Sequence, residues 1–130
     1  MRLTLRDEPE ATRKLRSALA RAAACCGLTR EETFDLQVAA TEAVTNALRG
    51  TGGADAVTVV AKRREGAFEV EVADQGGFRP PEPSLAAAFQ SEGGRGIPIM
   101  LALVDELEFA ATGDGTRVRM RKRLSRNARS

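Results

Sequence analysis

The sequence predicts an α+β fold, a two-layer sandwich of a mostly antiparallel sheet with helices on one face. Three observations predict it. Two segments with helical periodicity follow one another in the first 50 residues. A hairpin of two period-2 segments comes next, and a second pair of strands meeting at a Gly-rich turn closes the chain.

Arg2 to Arg6 alternates around Leu3 and Leu5 and reads as a short strand. Asp7 is the expected cap of a first helix, with Pro9 in its first turn. Ala11, Leu15, Ala18, Leu19 and Ala22 form its apolar stripe, it runs to about Cys25, and Gly27 ends it. Thr29-Arg30-Glu31-Glu32 is a capping box, in which a threonine hydroxyl and a glutamate satisfy each other's backbone N–H. It opens a second helix, about Arg30 to Leu48, with Phe34, Val38 and Leu48 among its apolar positions, and Gly50-Thr51-Gly52-Gly53 breaks it.

Ala56 to Lys62 and Ala67 to Ala73 are the hairpin strands, turning around Arg64-Glu65-Gly66. Phe68, Val70 and Val72 face one way in the second of them, Glu69 and Glu71 the other. Residues 75–93 form a long Pro-rich loop, the length expected of a lid or a binding loop. A helix from Gly96 to about Val104 follows. Strands over about Glu106 to Ala111 and Thr116 to Leu124 meet at Thr112-Gly113-Asp114-Gly115.

The 130 residues are read as one domain, 1–130, with a basic tail from about 125. No run of 18 apolar residues is present and the start is polar and charged, so neither a membrane span nor a secretory leader is expected and the cytoplasm is the expected address. Five Phe with no Trp or Tyr make base stacking on single-stranded nucleic acid a poor fit. The adjacent Cys25 and Cys26, in a chain without histidine, make a poor metal site and read as small buried residues near a helix end. Net charge is +2, but Gly115 to Ser130 holds seven basic residues and no acidic one. Such a tail can touch nucleic acid or an acidic partner. The alternation of Arg117, Arg119 and Arg121 equally suits the outer face of a solvated edge strand.

Several short motifs carry chemistry. Glu42 and Asn46 are one turn apart and share a helix face among Val38, Ala39, Ala43, Val44 and Ala47. An amide oxygen is a hard ligand suited to Mg2+, and a glutamate one turn away can take a proton from an attacking hydroxyl. An exposed polar strip would have the same spacing. Asp74 ends a strand before Gln75-Gly76-Gly77, so its carboxylate can accept a hydrogen bond from an exocyclic amine while Gly76 lets a flat ring approach the backbone. A plain turn would look alike. Gly93-Gly94-Arg95-Gly96 opens a helix, where free N–H groups and the helix dipole favour phosphate, although a hinge also uses glycines. It is neither a P-loop, lacking Gly-Lys-Ser/Thr, nor a dinucleotide fingerprint.

In this order, Glu42-Ala43-Val44-Thr45-Asn46, Asp74-Gln75-Gly76, Gly93 to Gly96 with Ile97 to Leu101, and Gly115-Thr116 resemble the N, G1, G2 and threonine boxes of the histidine-kinase-like (GHKL, Bergerat-fold) ATPases. The flanking residues narrow the resemblance to the bacterial anti-sigma-factor serine kinases, and it covers about Leu3 to Leu124. It implies ATP and Mg2+ as cofactors, Glu42 as catalytic base and Asn46 as magnesium ligand. It implies that Asp74 recognises the adenine amino group with Gly76 beside it, that Gly94, Arg95 and Gly96 lie by the phosphates, and that Thr116 bonds the adenine region. The fuller Asp-x-Gly-x-Gly pattern is not continued after Gly77. The implied partners are a sigma factor of RNA polymerase and an anti-sigma-factor antagonist phosphorylated on serine, with a homodimer expected and no membrane or direct nucleic acid. An arginine of the first helix contacts both partners in the family; Arg16 is the position that matches, with Arg13 beside it. The family usually has a histidine shortly after the N-box asparagine, where this chain reads Leu48-Arg49-Gly50-Thr51. A non-catalytic, nucleotide-gated module and a basic nucleic-acid binder are the competing readings.

Overall fold

The computed structural model describes residues 1–50, 56–74, 102–111 and 116–124. The elements follow the order β1 (Arg2–Leu5), α1 (Ala11–Cys25), α2 (Arg30–Gly50), β2 (Val57–Arg64), β3 (Ala67–Asp74), β4 (Glu106–Ala111) and β5 (Thr116–Arg123). The five strands form one antiparallel sheet in the order β1-β2-β3-β5-β4, so the predicted α+β fold is the observed one. Residues 102–103 are helical and Val104 is not, at the end of the third predicted helix; its residues 96–101 fall outside the described ones, as do the 75–93 loop and the 112–115 turn.

Local chemistry sets the ends of the elements. α1 stops in a Schellman turn: Gly27, at φ 83°, donates its N–H to Ala24, and Leu28 donates to Ala23. Thr29 then starts α2 through the predicted capping box, with Glu32 N donating to Thr29 Oγ1 at 3.0 Å and Thr29 N to Glu32 Oε1 at 2.8 Å. The β2–β3 hairpin turns on two residues, Glu65 at φ 52° and Gly66 at φ 78°, the type I′ pair whose twist matches the strands. Asp7 does not cap α1, contrary to expectation. The helix begins at Ala11, its N-cap is Glu10 without a side-chain bond, and Ala11 N donates to Glu8 O, so residues 7–10 form a turn ahead of it.

Both helices lie on one face of the sheet. Leu15 and Leu19 of α1, Leu36, Ala39, Ala40 and Ala43 of α2, Val57 and Val59 of β2, Phe68, Val70 and Val72 of β3, and Val118 and Met120 of β5 share the core. α2 packs mainly on β3. Its inward positions are mostly alanines, which let the helix sit close to the strands. The outer face is a charged checkerboard. Arg117 pairs with Glu71 at 2.7 Å, Arg119 with Glu69 and Glu108, each at 3.3 Å, and Arg121 with Glu106 at 3.4 Å. β5 lies between β3 and β4, so its arginines belong to an interior strand and not to an edge. Glu69, only 4% exposed, is covered by Arg64 and Arg119. The cysteines also depart from expectation: Cys25 is exposed and Cys26 half-buried, because Ala23 takes the inward position in the last turn of α1.

Candidate functional site

One ion pair anchors the start of α2 on the sheet. Near its start, Asp35 Oδ2 accepts from Lys122 Nζ at 3.1 Å, and the same ammonium donates to Leu103 O at 2.9 Å. Lys122 is opposite Phe68, near the beginning of β3. From Asp35 to Asn46 the helix advances roughly 16 Å at 1.5 Å per residue. From Phe68 to Asp74 the strand advances about 20 Å at 3.3 Å per residue. The start of α2 is thus placed by the Phe68 end of β3, and Asp74 lies at the other end of that strand.

At that end Asp74 is the last residue of β3, with Val57 its partner on one side and Thr116 on the other. Its alternation with Val70 and Val72 puts it on the helix-bearing face, where it is 5% exposed. Glu42 is half-buried on α2 and Asn46 is 8% exposed. Asn46 is unevenly satisfied. Its Oδ1 accepts from Arg49 Nη1 at 3.1 Å, while its Nδ2 is buried with no partner among the described residues. A buried amide with an idle donor costs stability, which a core-filling residue would not do.

The donor set suits magnesium in one limited sense. Mg2+ prefers a few hard side-chain oxygens with phosphates and water completing its shell, and the Asn46 carbonyl keeps a second lone pair beyond the Arg49 bond. Glu42 is an oxygen base one turn away. The sequence-derived set is thus gathered in part. Asp74 is held opposite the backbone of Thr116, and Glu42 and Asn46 sit one turn apart on α2. Gly76, Gly94, Arg95 and Gly96 fall outside the described residues. Arg13 and Arg16 lie on the exposed side of α1, away from the core. Arg49 escaped the sequence reading; the signal available was a guanidinium at i+3 from Asn46, within reach on the same helix face.

The Arg117, Arg119 and Arg121 row, read from sequence as a possible nucleic-acid contact, is matched by glutamates of the neighbouring strands. Charges neutralised within the sheet have little left to offer a phosphate backbone. Among the described residues no helix is long and apolar enough to cross a membrane.

Comparison with known proteins agrees with this fold. The family described as histidine kinase-like ATPase domain matches residues 5–122. An anti-sigma F factor from Caldanaerobacter subterraneus subsp. tengcongensis is 33% identical over 121 residues, covering 86% of this chain and 85% of the relative. The serine-protein kinase RsbW of Bacillus pumilus is 34% identical over 134 residues, covering 92% of this chain and 82% of the kinase. Among solved structures, the RsbU and RsbW domains of a Mycobacterium tuberculosis protein superpose with a TM-score of 0.72 at 22% identity, over 95% of this chain and 32% of that one. A blue-light activated histidine kinase from Erythrobacter litoralis gives a TM-score of 0.65 at 24% identity, over 88% of this chain and 43% of that one. This chain thus spans less than half of either solved protein, and both share its fold.

Proposed function

Because the chain belongs to the histidine kinase-like ATPase family, with relatives named anti-sigma F factor and serine-protein kinase RsbW, we propose that it is an ATP-dependent serine kinase that doubles as an anti-sigma factor. In this reading it holds a sigma factor away from RNA polymerase and phosphorylates a serine of a small antagonist, so that the phosphorylation state of the antagonist decides which partner is bound. It acts as a homodimer, which light scattering of the purified protein checks.

The observation that supports the reading is a buried, half-satisfied Asn46 one turn from Glu42 on α2, together with a buried carboxylate, Asp74, at the end of β3. Asp74 accepts a hydrogen bond from the adenine amine, a charge-assisted contact that rejects a carbonyl at the same ring position. Thr116, its neighbour across the ladder, adds a contact to the same ring region. Asn46 offers its side-chain oxygen to magnesium, which when bound with the phosphates supplies charge neutralisation at the transferring group. Glu42 takes the proton from the serine hydroxyl as that oxygen attacks. Gly76 stays beside the base, and Gly94, Arg95 and Gly96 are assigned to the phosphates on sequence grounds.

Transfer of the labelled γ-phosphate of ATP to a purified antagonist, with and without magnesium, tests the proposal. Magnesium-dependent phosphoserine is expected, and ATP binding without any transfer would refute the kinase. One observation favours that second outcome, a nucleotide-gated binding module without turnover. Arg49 is bonded to the oxygen that would face the metal, in the stretch where the kinases of this family usually carry a histidine.

A further inference from the structure

Arg49 stands exposed in the last turn of α2. A cation suits that place, because the carbonyl end of a helix is its negative end. Its guanidinium is not spent on a carboxylate. Among the described residues Arg49 forms no ion pair, and its Nη1 donates to Oδ1 of Asn46, a neutral amide, at 3.1 Å. The arginines of the sheet differ: Arg64, Arg117, Arg119 and Arg121 each face a glutamate.

This bond decides how the Asn46 amide is turned. Asn46 is 8% exposed, and its Nδ2 is buried with no partner among the described residues. Nδ2 therefore does nothing to select which end of the amide faces inward. The opposite rotamer would set Nδ2 against the guanidinium, donor against donor. Arg49 thus holds the oxygen toward itself, with one lone pair still open, and gives that oxygen a cationic neighbour.

Two effects on a metal ion at this oxygen then oppose each other. The fixed orientation favours a hard cation, and the guanidinium charge disfavours it. Cations that share one oxygen stand well inside the screening length of physiological salt. Their repulsion grows with the product of the charges, so a divalent ion feels it twice as strongly as a monovalent one. Orientation by a single hydrogen bond is the smaller effect, because its net contribution in water is modest. The charge decides the sign.

We infer that Arg49 is a built-in competitor of magnesium at the Asn46 oxygen, a positioning residue that raises the magnesium concentration at which the site fills. The inference rests on the nucleotide reading of this site and holds whether or not phosphotransfer follows. Free magnesium, and not ATP alone, then sets how the site is occupied.

The test is calorimetric titration of ATP into the full chain over a buffered series of free Mg2+, starting from EDTA, for wild type, Arg49→Gln and Arg49→Lys. The glutamine keeps a donor for Oδ1 and loses the charge, and the lysine keeps the charge. The half-saturating magnesium concentration should fall about fivefold or more in Arg49→Gln and stay within about threefold of wild type in Arg49→Lys. In an Asn46→Ala background the Arg49→Gln shift should vanish, since the shared oxygen is gone. Thermal unfolding reads the helix-end contribution separately: a purely structural Arg49 moves Tm and leaves the magnesium midpoint where it was. An unchanged or higher midpoint in Arg49→Gln overturns the competition, and so does an equal shift with and without Asn46; in both cases the nucleotide reading stands if wild type binds ATP. If wild type binds ATP neither with magnesium nor without it, that reading falls and takes the competition with it.

Discussion

Replacing Asp74 by Asn removes one negative charge and keeps the size and shape of the side chain. The residue is 5% exposed and is held through its backbone between Val57 and Thr116, so an isosteric amide keeps both the strand and the volume. Stability should change by less than about 1 kcal/mol, a few degrees in Tm for a domain of this size. If the carboxylate accepts from the adenine amine, the substitution replaces a charge-assisted bond by a neutral one. About 1–1.5 kcal/mol is then lost, the difference between the two kinds of bond, and ATP affinity falls roughly five- to tenfold. The amide can also donate, so a nucleotide with a carbonyl in place of the amine should lose less. Titration calorimetry of both variants with ATP and with GTP reads the two effects together. Unchanged ATP affinity at unchanged Tm would remove Asp74 from the base-recognition site. A collapse of Tm would make it a structural residue.

Glu42→Ala should leave ATP bound and slow phosphotransfer roughly 10²–10⁴-fold, whereas Asn46→Ala should weaken the magnesium dependence of binding itself; wild-type transfer by both variants would disprove their assignment. The 75–93 segment, if it is a lid over the nucleotide, should lose protease sensitivity when ATP and Mg2+ are added, and identical digestion patterns would argue against a lid. Lys122→Met leaves the Asp35 carboxylate and the Leu103 carbonyl without their 3.1 and 2.9 Å partner and should cost about 1–3 kcal/mol in urea unfolding. Pairing it with Asp35→Leu should recover part of that loss, and additive losses would show that the two side chains are not coupled. Thr29→Ala should destabilise by about 1 kcal/mol, and adding Glu32→Ala should cost little more if the two caps act as one.

The features legible in the sequence are those whose causes are local. The Thr29–Glu32 box, the stop at Gly27, the tight turn at Glu65-Gly66 and the alternation of Phe68, Val70 and Val72 are each settled by side chains within a few residues of one another. Glu42 and Asn46 could be put on one helix face for the same reason. What the sequence did not reveal depends on partners far along the chain. Glu69 is buried because Arg119, fifty positions away, folds over it. Lys122 reads as one more basic tail residue, yet it points inward to Asp35. Phe34 fits the helical pattern and still faces outward. Asp7 has the right chemistry for a cap, but the turn through Glu8 and Pro9 starts the helix later.

The strand order has a further consequence for the stretch between β3 and β4. Asp74 and Thr116 are held opposite each other by a ladder whose register is fixed over the whole of β3 and β5. β4 starts opposite the same strand, Glu106 facing Arg121, so the chain between Asp74 and Glu106 has fixed ends, as a closed loop has in the polymer sense. Closing such a loop costs entropy that grows only with the logarithm of its length, so lengthening it by a third costs about 0.3 kcal/mol and doubling it about 0.6. The sheet thus constrains where this stretch begins and ends, and hardly at all how long it is. Insertions and deletions there cost less than the loss of one buried methyl group.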